Sequence, residues 1–200
     1  MANSLALVAG LALLFLAIVR AQDAGSGNFN VPNGIDRNKI DGSYFTFTGL
    51  RNGVPAKNGV GLKTVSVTEF PALDGMGVSM ELLEFPAGAV NAPHNHPRGA
   101  EMLYLAEGSL TVGTTDSNGK LYKSLLQKGD VFAFPQGLTH YQANFGTQRA
   151  VGLAAFGSSK AGTTLLPKNI FVSNIPDNVL TTSFNIPAPI LQKIKAGLKN

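Results

Sequence analysis

The sequence predicts an all-β protein closed into a barrel or a jelly roll, and two observations carry that prediction. The first is composition: only 14% of the 200 residues are charged, while 44% are hydrophobic, with 23 Gly and 11 Pro. Such a chain suits many short strands joined by tight turns better than a helical bundle. The second is spacing. Short runs rich in Val, Thr, Leu and Phe recur at regular intervals from Leu62 onward, separated by turn residues, as expected of about eight to ten short strands.

Taken in order, the chain begins with an apolar run, Leu5 to Val19, followed by Val19-Arg20-Ala21. The run is too short for a comfortable membrane span and suits the core of a secretory leader, so residues 1–21 are assigned to a signal peptide cleaved after Ala21. Residues 22–61 are rich in Gly, Asn and Asp and read as an irregular N-terminal arm, with one β-prone run at Tyr44–Thr48. Residues 62–157 form the expected barrel core. Strands are predicted at Lys63–Phe70, Val78–Phe85, Met102–Ala106, Ser109–Thr114, Leu121–Gln127, Val131–Phe134, Thr139–Ala143 and Arg149–Phe156, with a strong hairpin signal at Asn118-Gly119. Residues 158–200 make a C-terminal segment with two helices, Asp177–Phe184 and Pro187–Leu198. In the second, Ile190, Leu191, Ile194 and Leu198 share one face.

Charge excludes some functions. There are 16 basic and 12 acidic residues, a net +4, and loss of Arg20 with the leader lowers this by one. No dense basic stripe with interleaved aromatics appears, so nucleic acid is not an expected partner. After leader cleavage no membrane association is expected either. The mild positive charge, with Lys193, Lys195 and Lys199 near the C-terminus, suits at most weak retention on acidic cell-wall polysaccharide. The absence of cysteine excludes disulfides and thiolate ligands, so any metal site must use nitrogen and oxygen donors.

Such donors are present. The three histidines are His94, His96 and His140, the first two within Pro93-His94-Asn95-His96-Pro97. Residues two apart on an extended strand face the same side, so both imidazoles can enter a barrel interior. Glu101 follows after the Arg98-Gly99-Ala100 loop, and His140 follows Pro135-Gln136-Gly137 on a later strand. Three imidazoles, one carboxylate and open positions suit Mn(II), Fe(II) or Ni(II) better than a closed zinc site.

These residues resemble the two motifs of the cupins, and among cupins those of the plant germin-like proteins. Gly88, His94, His96, Glu101 and Gly108 match the first motif at every spacing, and Gly129, Pro135, Gly137, His140 and Asn144 match the second. The resemblance implies a cupin jelly roll with manganese held by His94, His96, Glu101 and His140. It also implies secretion to the apoplast and a homo-oligomer, commonly a hexamer built as a trimer of dimers through the C-terminal helices. Germins usually carry a disulfide near the mature N-terminus, which this chain lacks. Oxalate-oxidising germins resemble the chain at Asn91, beside the cavity, but carry another asparagine at the position of Glu81. If Glu81 faces the cavity, its carboxylate repels an oxalate dianion; if it points outward or pairs with a Lys, it does not. Asn91 and Glu81 are therefore the candidate substrate-pocket residues. Three functions fit: a manganese superoxide dismutase acting in defence or cell-wall redox chemistry, an oxalate oxidase producing hydrogen peroxide, and a non-catalytic wall protein that binds or stabilises through its metal.

Overall fold

The computed structural model describes residues 29–54 and 59–199, so the expected leader, residues 1–21, lies outside the described residues. Ten strands are present among them: β1 (Gly61–Val65), β2 (Ser79–Phe85), β3 (Val90–Asn95), β4 (Glu101–Glu107), β5 (Ser109–Thr115), β6 (Leu121–Gln127), β7 (Val131–Phe134), β8 (His140–Ala143), β9 (Ala150–Phe156) and β10 (Thr164–Leu165). They form two five-stranded antiparallel sheets, ordered β1-β2-β9-β4-β7 and β10-β3-β8-β5-β6. The two sheets face one another as a cupin-type jelly roll.

Alternation along each strand builds the interior. Leu83 and Phe85 on β2, Leu103 and Leu105 on β4, and Leu110 and Val112 on β5 are fully buried, and Ala150, Ala154, Phe134 and Leu126 belong to the same apolar cluster. Burial of this kind contributes about 25 cal/mol per Å² of apolar surface. At one end the inward row turns polar. Glu101 is register partner to both Phe134 and Phe156, and His94 pairs with His140, which pairs with Thr114.

Two predicted strands end differently. Tyr44–Thr48 is not a strand: turns through Tyr44 and Phe45 lead into irregular chain, with the Tyr44, Phe45 and Thr46 N–H groups bonding the carbonyls of Asp41, Gly42 and Ser43. Asp41 accepts from both the backbone N–H and the hydroxyl of Ser43, which locks the bend. The strand expected over Lys63–Phe70 stops at Val65, because Glu69 folds back and accepts from the N–H and hydroxyl of Ser66.

Past Gly157 come β10 and three helices, α1 (Leu166–Phe171), α2 (Asp177–Phe184) and α3 (Ala188–Leu198). The short strand β10 and the helix α1 carried no periodic signal in the sequence. α2 ends at Asn185 in the left-handed conformation (φ 49°), and Pro187 starts the next helix. α2 and α3 are clamped by Asp177, which accepts from Gln192 and Lys195, and they bury Leu180 and Leu191.

Candidate metal centre

His94, His96, Glu101 and His140 are all buried, and one donor atom from each lies within 4.8 Å of the others. Local structure explains the convergence. His94 sits near the end of β3 and His96 just beyond it, so the period of two is kept. Pro135-Gln136-Gly137 makes a turn in which Gly137 adopts φ 76°, a conformation only glycine takes without strain. The Gly137 N–H then bonds the His96 carbonyl at 3.1 Å, which ties the approach to His140 onto the first histidine pair.

Each imidazole is oriented by its Nδ1. That atom bonds the Ala92 carbonyl at 2.8 Å in His94, the Gly162 carbonyl at 2.6 Å in His96, and the Leu138 carbonyl at 2.9 Å in His140. A carbonyl only accepts, so Nδ1 carries the proton and the Nε2 lone pair of a neutral ring faces inward. Rings pack the other faces: Phe134 stacks on His140 at 4.4 Å and Phe156 meets His96 edge-on at 4.7 Å.

Glu101 Oε2 lies 2.9 Å from His96 Nε2 and 3.2 Å from His140 Nε2. With neutral rings these contacts would set lone pair against lone pair, an arrangement a shared cation resolves. Octahedral donors about 2.1 Å from one ion stand about 3 Å apart, so the donor set fits a divalent transition metal. Without metal, electrostatics must substitute. Burial works to raise the Glu101 carboxyl, but hydrogen bonds from His140 and His96 outweigh it and hold the pKa at about 2. Burial, reinforced by His140, lowers His94 to about 4. His96 resists its own burial through the Glu101 contact and is raised above 6.5.

A cavity of about 270 Å³ opens beside His96, lined among others by Thr64, Glu81, Arg98, Phe156, Lys160 and Gly162. Glu81 faces this cavity rather than pairing with a lysine: its Oε1 accepts from the Thr64 hydroxyl at 2.6 Å. Burial raises its pKa, and the nearby Glu101 charge adds to the effect. Asn91 is not part of that lining. Its amide is committed to Gln142, which in turn reaches Glu101. Gln142 and Arg98 were not singled out from the sequence, although Gln142 stands two residues after His140 and so shares its face. Asn144, a motif position, is wholly structural: its amide donates to the carbonyls of Phe85, Pro86 and Gln148. Tyr104 points outward, while Phe134 lies against His140 and Phe132 packs on the core.

Comparison with known proteins converges on one family. The family model described as Cupin matches residues 52–190. Germin-like protein 9-3 of Oryza sativa subsp. japonica is 41% identical, over 99% of this chain and 97% of its own length. Germin-like protein subfamily T member 2 of Arabidopsis thaliana is 37% identical, over 80% of this chain and 74% of its own. Among solved structures, an oxalate oxidase in complex with the substrate analogue glycolate superposes with a TM-score of 0.78 at 28% identity, covering 88% of this chain and 93% of that one.

Proposed function

Because this chain belongs to the germin-like proteins of the cupin family, we propose that it is a secreted manganese protein of the plant apoplast that dismutes superoxide, in defence or in cell-wall redox chemistry. One observation carries the choice of substrate: a carboxylate, Glu81, stands in the cavity that opens beside His96. A dicarboxylate entering there meets like charge in a poorly solvated space, which costs far more than in water. Superoxide is smaller and carries a single charge.

Manganese held by His94, His96, Glu101 and His140 supplies one-electron exchange in both directions. The chain's own residues do the rest. The imidazoles of His94, His96 and His140 and the Glu101 carboxylate would hold the ion. Arg98 and Lys160 at the cavity wall favour entry of a small anion. Dismutation to hydrogen peroxide consumes protons, and the Glu81 carboxylate at the cavity wall can take one up and pass it on, a role its upward-shifted pKa favours. Thr64 occupies its Oε1, which leaves Oε2 for the proton.

The extracellular location is supported by the leader expected at residues 1–21. Self-association is supported by the outer face of the first sheet, where Met80, Met102, Tyr104 and Val131 are exposed; its form as a hexamer, a trimer of dimers, rests on the family resemblance. The likeness to an oxalate oxidase favours oxalate oxidation as the second reading.

Paired assays decide between the two. Manganese-loaded protein should dismute superoxide and form no peroxide from oxalate, and His94→Ala, His96→Ala or His140→Ala should lose metal and activity together. Dismutation by a verified metal-free preparation would sink the proposal. Glu81→Asn should admit oxalate if the cavity is otherwise competent. A fully loaded protein inert toward both substrates would instead indicate a wall-binding role.

A further inference from the structure

Gln142 has no exposed surface, and its side-chain amide bridges two partners inside the barrel. Its Nε2 donates to Glu101 Oε1 at 3.2 Å, and its Oε1 accepts from Asn91 Nδ2 at 2.8 Å. Charge fixes the sense of this chain. Turned over, the amide would press its carbonyl oxygen on a carboxylate and its NH₂ on another NH₂.

The two oxygens of Glu101 are therefore not equivalent. Oε2 faces the Nε2 atoms of His96 and His140, while Oε1 is occupied by Gln142. A carboxylate turns easily about its last torsion, and that torsion alone decides whether one oxygen or two are offered. We infer that Gln142, steadied by Asn91, is a positioning residue that makes Glu101 a one-oxygen ligand through Oε2.

Strand geometry explains how Asn91 reaches this place. Asn91 is three residues before His94, an odd separation that would put the two on opposite faces of a regular strand. Opposite them, Gln142 and His140 are only two apart, and Asn91 pairs with Gln142 while His94 pairs with His140. The extra residue in β3 is a bulge, and it brings Asn91 back to the inner face.

The inference rests on the metal site proposed above and is tested separately from it. Manganese(II) affinity is measured by competition titration, and the electron paramagnetic resonance spectrum of the loaded protein is recorded. The variants are Gln142→Leu, Asn91→Ala and the double variant, each first checked for a cooperative thermal transition. Gln142→Leu should weaken manganese binding by about 10- to 100-fold, the usual range for groups that orient a ligand, and should alter the spectrum. Asn91→Ala should move both readings the same way by less, and should add nothing once Gln142 is gone. Wild-type affinity and spectrum in Gln142→Leu, or effects that simply add in the double variant, would overturn the inference. If Gln142→Leu does not fold, an unchanged spectrum in Asn91→Ala overturns it alone. Absence of manganese binding by the wild type would sink the metal proposal instead.

Discussion

Of His94 and His96, His96 is the candidate ligand for which a proton competes more strongly. His94 is held neutral by burial down to about pH 4, so it competes little with a metal, whereas the contact with Glu101 keeps a proton on His96 above 6.5. A metal must displace that proton. Manganese affinity should therefore rise with pH, with proton release accompanying binding; titration in buffers of different ionisation enthalpy measures this, and binding indifferent to pH would contradict it. Glu101 acts in the opposite range. Its pKa is depressed, so the folded metal-free protein gains stability from it above pH 4.5 and loses that gain as pH falls toward about 2. At this scale the sequence was readable for the ligands and less so for their supports. The candidate donors that the motif spacing picked out do converge, whereas Gln142 and the Gly162 carbonyl act through hydrogen bonds between segments far apart in the chain.

Turns and bulges, more than strands, set the geometry of the site. Strands β6 and β7 fell where alternation and flanking turns put them, as did α2 and α3. The expected strands were lost where a side chain redirected the backbone, as Asp41 does within the N-terminal arm and Glu69 does after Val65. β10 and α1 are too short to show a period. The bulge in β3 has no local signature, since it exists only relative to β8. The second glycine of the first motif has a clear structural cause: Gly108 adopts φ 76°, and a Cβ there would lie 2.5 Å from the Arg149 carbonyl oxygen. Gly108→Ala should thus cost at least about 1–3 kcal/mol, through both backbone strain and collision with β9. Equilibrium denaturation of the metal-free protein measures it, and a loss below a few tenths of a kcal/mol would refute the account.

For the molecule as a whole, both sheets present apolar side chains to solvent, Met102 and Val131 on the first and Leu121 and Leu125 on the second. Met102 and Val131 are more than half exposed on neighbouring strands of the first sheet, an unusual surface for a protein that works alone. If copies associate through it, Met102→Lys should lower the sedimentation coefficient without changing the thermal midpoint of the dissociated chain; an unchanged assembly would move the interface elsewhere. The sequence foresaw association only through family resemblance, because exposure on an outer face depends on which strands become neighbours. The donor set also has a distribution across the fold: Glu101 belongs to the first sheet, and His94 and His140 to the second. An ion held by both sheets is a cross-link in a chain with no disulfide, and its removal should lower the melting temperature by several degrees. The same arrangement has a consequence in time. Buried ligands on opposite walls cannot be peeled away one by one, so release waits for the walls to part. Loss of metal to a chelator should proceed at a rate that stops rising with chelator concentration, and that ceiling should match the opening rate of the barrel measured by hydrogen exchange.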